Sequence, residues 1–350
     1  MKAVILAGGE GTRLRPLTLS APKPVVPVVD RPFLRHQLDL LARAGIREVI
    51  FSVAYRPERI QAVFGDGSAL GFKIRYSVED SPLGTGGAVK NAERLLDERT
   101  VVLNGDVLSD LDLAAVVAGH AARGASASIV LAPVPNPSAF GLVETDPDGR
   151  VRRFLEKPKP EEITTNNINA GVYVLETRVL ELIPPAAVHS IERGFFPALL
   201  ARGDLVLGPV HGGYWIDIGT PEKYRQVHRD ILSGAFPVVL DGAKRAGGVV
   251  HPSARVEARA ELAGPFYVGP RCRVEGGARV GPGAVLVEEV HLAAGGEVAD
   301  SVLWKGCTVG SESRVSGSLL GPGVSVGRGA LVKGAVLGEG TFVSDFSHTA

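Results

Sequence analysis

The chain has 350 residues, 45% of them hydrophobic, with 38 basic and 38 acidic side chains and therefore no net charge. That length favours two domains with real cores, and the charge balance removes any bulk attraction to nucleic acid or to an anionic membrane surface, so an anionic ligand has to be met locally. Cys272 and Cys307 lack the spacing of a disulfide framework or a zinc site, no stretch approaches membrane-spanning length, and the expectation is a cytoplasmic protein without leader or anchor.

The apolar run Ala3-Val4-Ile5 reads as a buried strand that leads into Leu6-Ala7-Gly8-Gly9-Glu10-Gly11-Thr12-Arg13-Leu14. A loop rich in glycine can bring several backbone N–H groups against an anion or a flat base. Arg13 would add a forked, permanently charged donor to phosphate oxygens. The dinucleotide fingerprint requires glycine where Leu14 stands, and the Walker pattern requires Gly-Lys-Ser/Thr where Gly11-Thr12-Arg13 stand, so neither applies. On the glycines alone a tight turn fits as well as an anion cradle. The next residues, Pro16-Leu17-Thr18 and Pro22-Lys23-Pro24, put a second cation in a stiff extended segment close by.

Phe33, Leu34, Leu38, Leu41 and Ala42 then fall on one face of a helix stopped at Gly45. Residues 48–53 read as a strand, 58–64 as a helix, 73–76 as a strand, 88–96 as a helix, and 101–104 as an apolar strand running into Gly105-Asp106. Such alternation implies an α/β fold, a Rossmann-like mostly parallel sheet with helices on both faces, whose ligands bind beyond the carboxyl ends of the strands. Gly8 and Asp106 both fall there. A hard carboxylate such as Asp106 suits magnesium bound to phosphates, although an Asp-containing turn explains the tripeptide equally.

Later in the chain, Phe140-Gly141 allows a close backbone approach at a strand mouth. Phe154-Leu155-Glu156-Lys157-Pro158 sets acid beside base, and in a regular strand these two point to opposite faces unless Pro158 or a bulge bends the chain. Residues 166–173, which include Asn169, supply amides suited to sugar hydroxyls. Tyr214-Trp215-Ile216-Asp217-Ile218-Gly219 brings a second carboxylate out of an apolar strand, and two such aspartates can hold one metal ion.

After about residue 240 the pattern changes. Val250, Val256, Leu262, Val268, Val274, Val280, Leu286, Leu292 and Val298 recur every six residues, with small residues such as Ala254, Ala260, Cys272, Ala278 and Ala284 four positions on. After a slip the period resumes at Val309 and Val315, then at Leu320, and finally at Leu337. This is the signature of a parallel β-helix of hexapeptide repeats. Both cysteines take the small inward position and read as core packing. The expected division is a catalytic domain over 1–240 and a β-helix over 241–350.

Taken in order, Leu6-Ala7-Gly8-Gly9-x-Gly11-Thr12-Arg13-Leu14, Pro22-Lys23-Pro24, Pro82-Leu83-Gly84-Thr85, Gly105-Asp106, Glu156-Lys157-Pro158, Asn169-Ala170-Gly171 and Trp215-x-Asp217-x-Gly219 resemble the sugar-1-phosphate nucleotidyltransferases, or nucleotide-sugar pyrophosphorylases. With the hexapeptide tail, and with Ser190-Ile191-Glu192 leading into Phe196-Pro197, the resemblance is closest to the branch that joins GTP to mannose 1-phosphate and ends in a left-handed β-helix. It implies in-line attack of a sugar 1-phosphate on the α-phosphorus of a nucleoside triphosphate. By the same match Leu6, Ala7, Gly8, Gly9, Gly11 and Thr12 hold the nucleotide, Arg13 meets the triphosphate and Lys23 faces the phosphates. Asp106 and Asp217 bind Mg2+, Lys157 binds the attacking phosphate, and Gly141, Glu156 and Asn169 bind the sugar.

In that family the stretch around Gly84 and Thr85 contacts the base, and here Glu79 stands five residues before Gly84. A carboxylate only accepts hydrogen bonds, which suits the adjacent donors of guanine better than the edge of uracil or thymine. Gly86 stands where many mannose enzymes have alanine, as in heptose-1-phosphate guanylyltransferases, so GTP is better supported than mannose. Glucose-1-phosphate thymidylyl- or uridylyltransfer and a catalytically silent regulatory chain are the alternatives. An acyltransferase activity of the β-helix would need a base, for which its repeats offer His251 and His291. The implied partners are small-molecule substrates, not nucleic acid or membrane, and a second copy of the chain through the β-helix, whose open end is a liability.

Overall fold

The computed structural model describes residues 1–349. They pack as two compact units, the first made of Met1–Glu10 with Leu34–Trp215 and the second of Gly11–Phe33 with Ile216 onward.

In the first unit the described residues form a nine-stranded sheet. Lys2–Leu6 lies at its centre, parallel to both Glu48–Val53 and Arg99–Asn104, and Glu48–Val53 is parallel to Lys73–Val78. This is the alternating part of the sequence. The other half is antiparallel: the ten-residue strand Asn167–Glu176 pairs with Arg99–Asn104 and Ala127–Pro133, and a hairpin joins Gly141–Thr145 to Val151–Glu156. The hairpin needs no crossover helix, and the helix that leads into Ala127–Pro133, Leu113–Ala122, is built almost wholly of small apolar residues, so this half leaves little helical periodicity to read. The central strands are apolar on both sides, as a covered sheet demands; Ala3, Val4 and Ile5 are fully buried.

One helix begins earlier than its apolar pattern. It spans Gly84–Asn91, followed by a short turn over Glu93–Leu95. The Gly86 and Gly87 N–H groups donate to the His189 carbonyl at 2.8 and 3.2 Å, so the glycine-rich first turn is capped by a distant backbone oxygen.

The second unit holds the β-helix. Its described strands form three parallel stacks, through Gly248–Val250, Arg255–Val256 and Glu261–Leu262, with one antiparallel strand, Ala243–Arg245, at the start of the first. Val268, Val274, Val280, Leu286, Leu292 and Val298 all point into one hydrophobic core. The slip after Val298 is a single shortened side: Leu303 fills the inward position before Val309. Cys272 and Cys307 are unpaired and fully buried, and burial pushes their thiols up to about 11 and about 12.

Outward positions differ between the stacks. Two carry mainly polar residues, Arg255, Arg273, His291, Thr308 and Ser325 on one and Glu261, Arg279, Glu297 and Arg314 on the other. The third carries Val249, Tyr267, Val285, Val302, Leu319 and Val336, of which Tyr267, Val285, Val302 and Leu319 are at most 1% exposed. That stack is therefore covered.

A thiol reagent at neutral pH is expected to leave Cys272 and Cys307 unmodified in the folded protein and to label both after denaturation. Prompt labelling of either in the native state would contradict their placement in the core.

Candidate active site

The first unit's site is built where the central strands end. Gly105 N–H donates to the Leu6 carbonyl at 2.9 Å, and a Cβ on residue 105 would fall 2.3 Å from that oxygen. Only glycine lets the chain cross there, and the crossing sets Asp106 beside the Leu6-Ala7 turn.

Beyond it, Ala7 N–H donates to the Ser52 carbonyl at 2.8 Å, and Ser52 Oγ donates to Glu79 Oε1 at 3.0 Å. Glu79 Oε2 accepts from Leu83 N–H at 2.9 Å. Glu79 is 8% exposed, and its Oε1 would lie 3.4 Å from a Cβ on Gly8. One carboxylate therefore ties the glycine turn to the stretch that opens at Pro82. A Cβ on Gly9 would meet nothing within 4 Å, so its backbone faces open space.

Thr85 is committed inside the protein. Its hydroxyl donates to Glu192 Oε2 at 2.8 Å and accepts from Ile191 N–H at 2.9 Å, while Ser190 Oγ donates to the same Glu192 oxygen at 2.7 Å. In the sequence Glu192 is only one mark of the resemblance; in the structure it is the acidic side chain that Thr85 and Ser190 hold in place.

Glu156 is paired in register with Gly141, where a Cβ would fall 2.7 Å from Phe154 Cζ and 2.9 Å from Glu156 Oε2. The bend expected at Pro158 occurs one residue earlier. Lys157 takes a φ of 53° and its N–H donates to the Phe140 carbonyl at 3.0 Å, which leaves the ammonium-bearing side chain exposed after a half-buried Glu156. Burial, and then the nearby Glu192 carboxylate, raise the Glu156 pKa above the ordinary value.

Asn169 sits where the register of its strand shifts. Its Oδ1 accepts from Gly171 N–H and its Nδ2 donates to the Tyr173 hydroxyl, both at 2.9 Å, leaving one N–H and one lone pair for a ligand. Tyr173 is fully buried; burial first, then the charges of Glu192 and Asp106, hold its hydroxyl pKa well above the ordinary value. Asp106, Asn169 and Glu192 thus gather about one phenol. Trp215 closes this side, its Nε1 donating to the Ala170 carbonyl at 2.9 Å and its ring meeting Phe140 edge-on at 5.6 Å.

The remaining candidates belong to the second unit. Gly11 takes a φ of 64°, and its carbonyl accepts from Thr18 Oγ1 at 2.8 Å. Thr12 opens the short turn after it, and Lys23 is 8% exposed with its Cβ 3.2 Å from where a Gly11 Cβ would stand. Arg13 lies flat against Gly219, whose Cβ would fall 2.7 to 2.9 Å from three guanidinium atoms. Asp217 is ion-paired with Lys223, a cation already at the carboxylate assigned to a metal.

Among the described residues no three His, Cys, Asp or Glu side chains gather as a ready-made metal site. One or two carboxylates completed by substrate phosphates is the usual magnesium arrangement at phosphate sites, and Asp106 in the first unit and Asp217 in the second are each a hard donor of that kind. The two histidines weighed as a base in the repeats are engaged at the surface: His251 with Ser253 and Asp241, His291 with Glu275.

The chain matches the nucleotidyl transferase family over residues 2–234 and the GMPPB C-terminal domain over 262–348. A mannose-1-phosphate guanylyltransferase of Mycobacterium tuberculosis is 45% identical over 295 residues, 84% of this chain and 81% of that protein. A UTP–glucose-1-phosphate uridylyltransferase of Synechocystis sp. is 33% identical over 334 residues, covering 90% and 86%. The crystal structure of HddC from Yersinia pseudotuberculosis complexed with GMP-PN superposes with a TM-score of 0.57 at 30% identity, over 65% of this chain and 98% of that one. Among the described residues no helix is long and apolar enough to cross a membrane.

A raised Glu156 pKa means that the native protein holds that proton more tightly than the unfolded chain, so this group's contribution to stability falls as pH rises through the carboxylate range. Glu156→Gln is expected to melt above the wild type at neutral pH, with the difference shrinking as pH drops towards 4.5, the ordinary value. Melting temperatures across pH check this; a variant less stable at neutral pH would contradict it.

Proposed function

The chain belongs to the nucleotidyl transferase family, and from that premise we propose that it transfers GMP from GTP to mannose 1-phosphate, releasing GDP-mannose and pyrophosphate. The observation that carries the nucleotide choice is the Glu79 carboxylate packed beside Gly8. Each of its oxygens accepts one protein hydrogen bond and keeps acceptor capacity, which suits the paired N–H donors of guanine. The M. tuberculosis relative, 45% identical, supports mannose 1-phosphate as acceptor.

The attacking phosphate oxygen is already an anion at neutral pH, so no general base is required and rate must come from positioning and charge neutralisation. The open backbone at Gly9 receives the nucleotide phosphates, with Gly8 and Gly84 lining the nucleotide. Arg13, held against Gly219, offers its fork to the departing pyrophosphate, and Lys23 supplies a second, largely desolvated positive charge. Lys157, turned outward by its own backbone, takes the attacking phosphate. Glu156, Asn169 and the backbone at Gly141 orient the sugar. Asp106 and Asp217 would hold magnesium, which when bound neutralises phosphate charge and aligns the reacting oxygens.

The matched segments support a division near residue 240 into transferase and β-helix. Both substrates are cytoplasmic metabolites, which supports a cytoplasmic location, and the same reading includes a homo-oligomer formed through the β-helix.

Pyrophosphate release is measured for GTP, UTP and dTTP against mannose, glucose and heptose 1-phosphates. GTP with mannose 1-phosphate is expected to turn over fastest, Asp106→Ala and Asp217→Ala to lower kcat on the order of a hundredfold or more, and Glu79→Gln to narrow the preference for GTP over UTP. Near-normal activity of either aspartate variant in magnesium removes its metal role, and no turnover with any pair leaves the silent regulatory reading.

A further inference from the structure

The segment Gly11–Phe33 carries Arg13 and Lys23 yet has almost no regular structure of its own. It consists of three single turns, Thr12–Leu14, Leu17–Leu19 and Lys23–Val25, and a two-residue hairpin between Pro27–Val28 and Arg31–Pro32. Val29, between those strands, is fully buried at a φ of 58°, a conformation that a β-branched residue keeps only when its surroundings over-determine it.

Those surroundings are the helix Pro221–Ser233 and the β-helix. Val29 N–H donates to His228 Nδ1 at 3.3 Å, and the Tyr224 hydroxyl donates to the Pro27 carbonyl. The His228 and Tyr224 rings meet edge-on at 4.8 Å, and the Tyr224 ring meets Trp304 at 6.3 Å. Trp304 directly follows Val302–Leu303 in the covered stack. All three aromatic side chains are at most 3% exposed. The same helix is anchored on either side, by Arg229 on the Asp300 carboxylate and by Arg225 on the Gly317 carbonyl. At the far end of the stack a Cβ on Gly338 would stand 3.1 Å from Pro16 Cβ. These contacts lie beside the outward row of Tyr267, Val285, Val302 and Leu319, whose burial shows that this side of the β-helix is covered.

We propose that Tyr224 and Trp304 are positioning residues for catalysis, through which the β-helix holds the phosphate-binding segment Gly11–Phe33 in its working conformation. The inference rests on the role proposed for Arg13 and Lys23. A close-packed interior transmits a fixed arrangement where turns alone do not. The β-helix is thereby part of the nucleotide site's framework.

Tyr224→Phe removes one hydroxyl and keeps the ring, so the fold should survive; Trp304→Ala opens the junction and Trp304→Phe refills most of it. In full-length protein, Tyr224→Phe and Trp304→Ala are expected to raise the KM for GTP about fivefold or more, leaving the KM for mannose 1-phosphate unchanged, with partial rescue in Trp304→Phe. In protein labelled with 5-fluorotryptophan, the Trp304 resonance, assigned from Trp304→Phe, is expected to shift on saturation with magnesium and GTP. Wild-type turnover with the KM for GTP unmoved in both variants and a silent Trp304 resonance would overturn this inference alone. A parallel rise in both KM values would reduce Tyr224 and Trp304 to general stabilisers and overturn it too. A wild-type protein that neither binds nor turns over GTP would overturn the functional reading, and the inference with it.

Discussion

The Leu6 carbonyl oxygen leaves no room for a side chain at residue 105. Because a Cβ there would stand 2.3 Å away, the chain leaving Arg99–Asn104 must be glycine at that point, and its N–H then pins it to the end of the central strand. Two neighbouring parallel strands so end together, one giving the glycine turn and the other Asp106. The rest of the first unit's site hangs on this edge. Ser52, from the strand on the other side, carries Glu79, and Glu79 carries the stretch leading to Gly84. A buried network that is satisfied throughout, as this one is at Glu79, fixes geometry because any displaced member loses partners it cannot replace.

The cations that the proposed reading gives to phosphate are organised differently. Arg13 and Lys23 lie on irregular backbone whose packing partners come from more than a hundred residues later in the chain, from the helix after Thr220 and the aromatic side chains around Trp304. The segment from Gly11 to Phe33 and the hexapeptide tail are thus one construction within the second unit. An Arg13 that lies on Gly219 and a Lys23 that is largely desolvated are both preset before any anion arrives, and preset charges cost no reorganisation during reaction.

How far each feature is legible in the sequence depends on the kind of signal it leaves. The strand before Gly8 is a continuous apolar run, the helix over Phe33–Arg43 and the inward residues of the β-helix are periodic, and both kinds of signal survive in one dimension. The antiparallel half of the sheet is entered through Leu113–Ala122, a helix of small apolar residues with no clear polar face, and reads only as separate motifs. The left-handed backbone at Lys157 is invisible, since lysine carries no preference for it, although the need for a bend is plain from Glu156 and Lys157 alternating in a strand. Glu192 acquires its place from Thr85 and Ser190, and such pairing between distant hydroxyls and a carboxylate has no spacing rule. The outward row from Val249 to Val336 does leave a trace, apolar residues one position before each inward residue on every third side, overshadowed by the stronger hexapeptide period. Thr85 keeps its place beside the nucleotide stretch, but its hydroxyl serves the protein.

Substrate choice is the least local property of all, since on the proposed reading it turns on Glu79, whose carboxylate is placed by Ser52 and Leu83 from separate stretches of the chain. The most direct test of the central claim is a crystal structure of the protein with a non-hydrolysable GTP analogue and manganese, located by its anomalous signal. The expected result is a phosphate chain along the Gly8–Gly9 backbone, guanine N–H donors within hydrogen-bond distance of Glu79, and manganese on the Asp106 carboxylate. A nucleotide bound away from the end of the Lys2–Leu6 strand, or a metal that ignores Asp106, would contradict it.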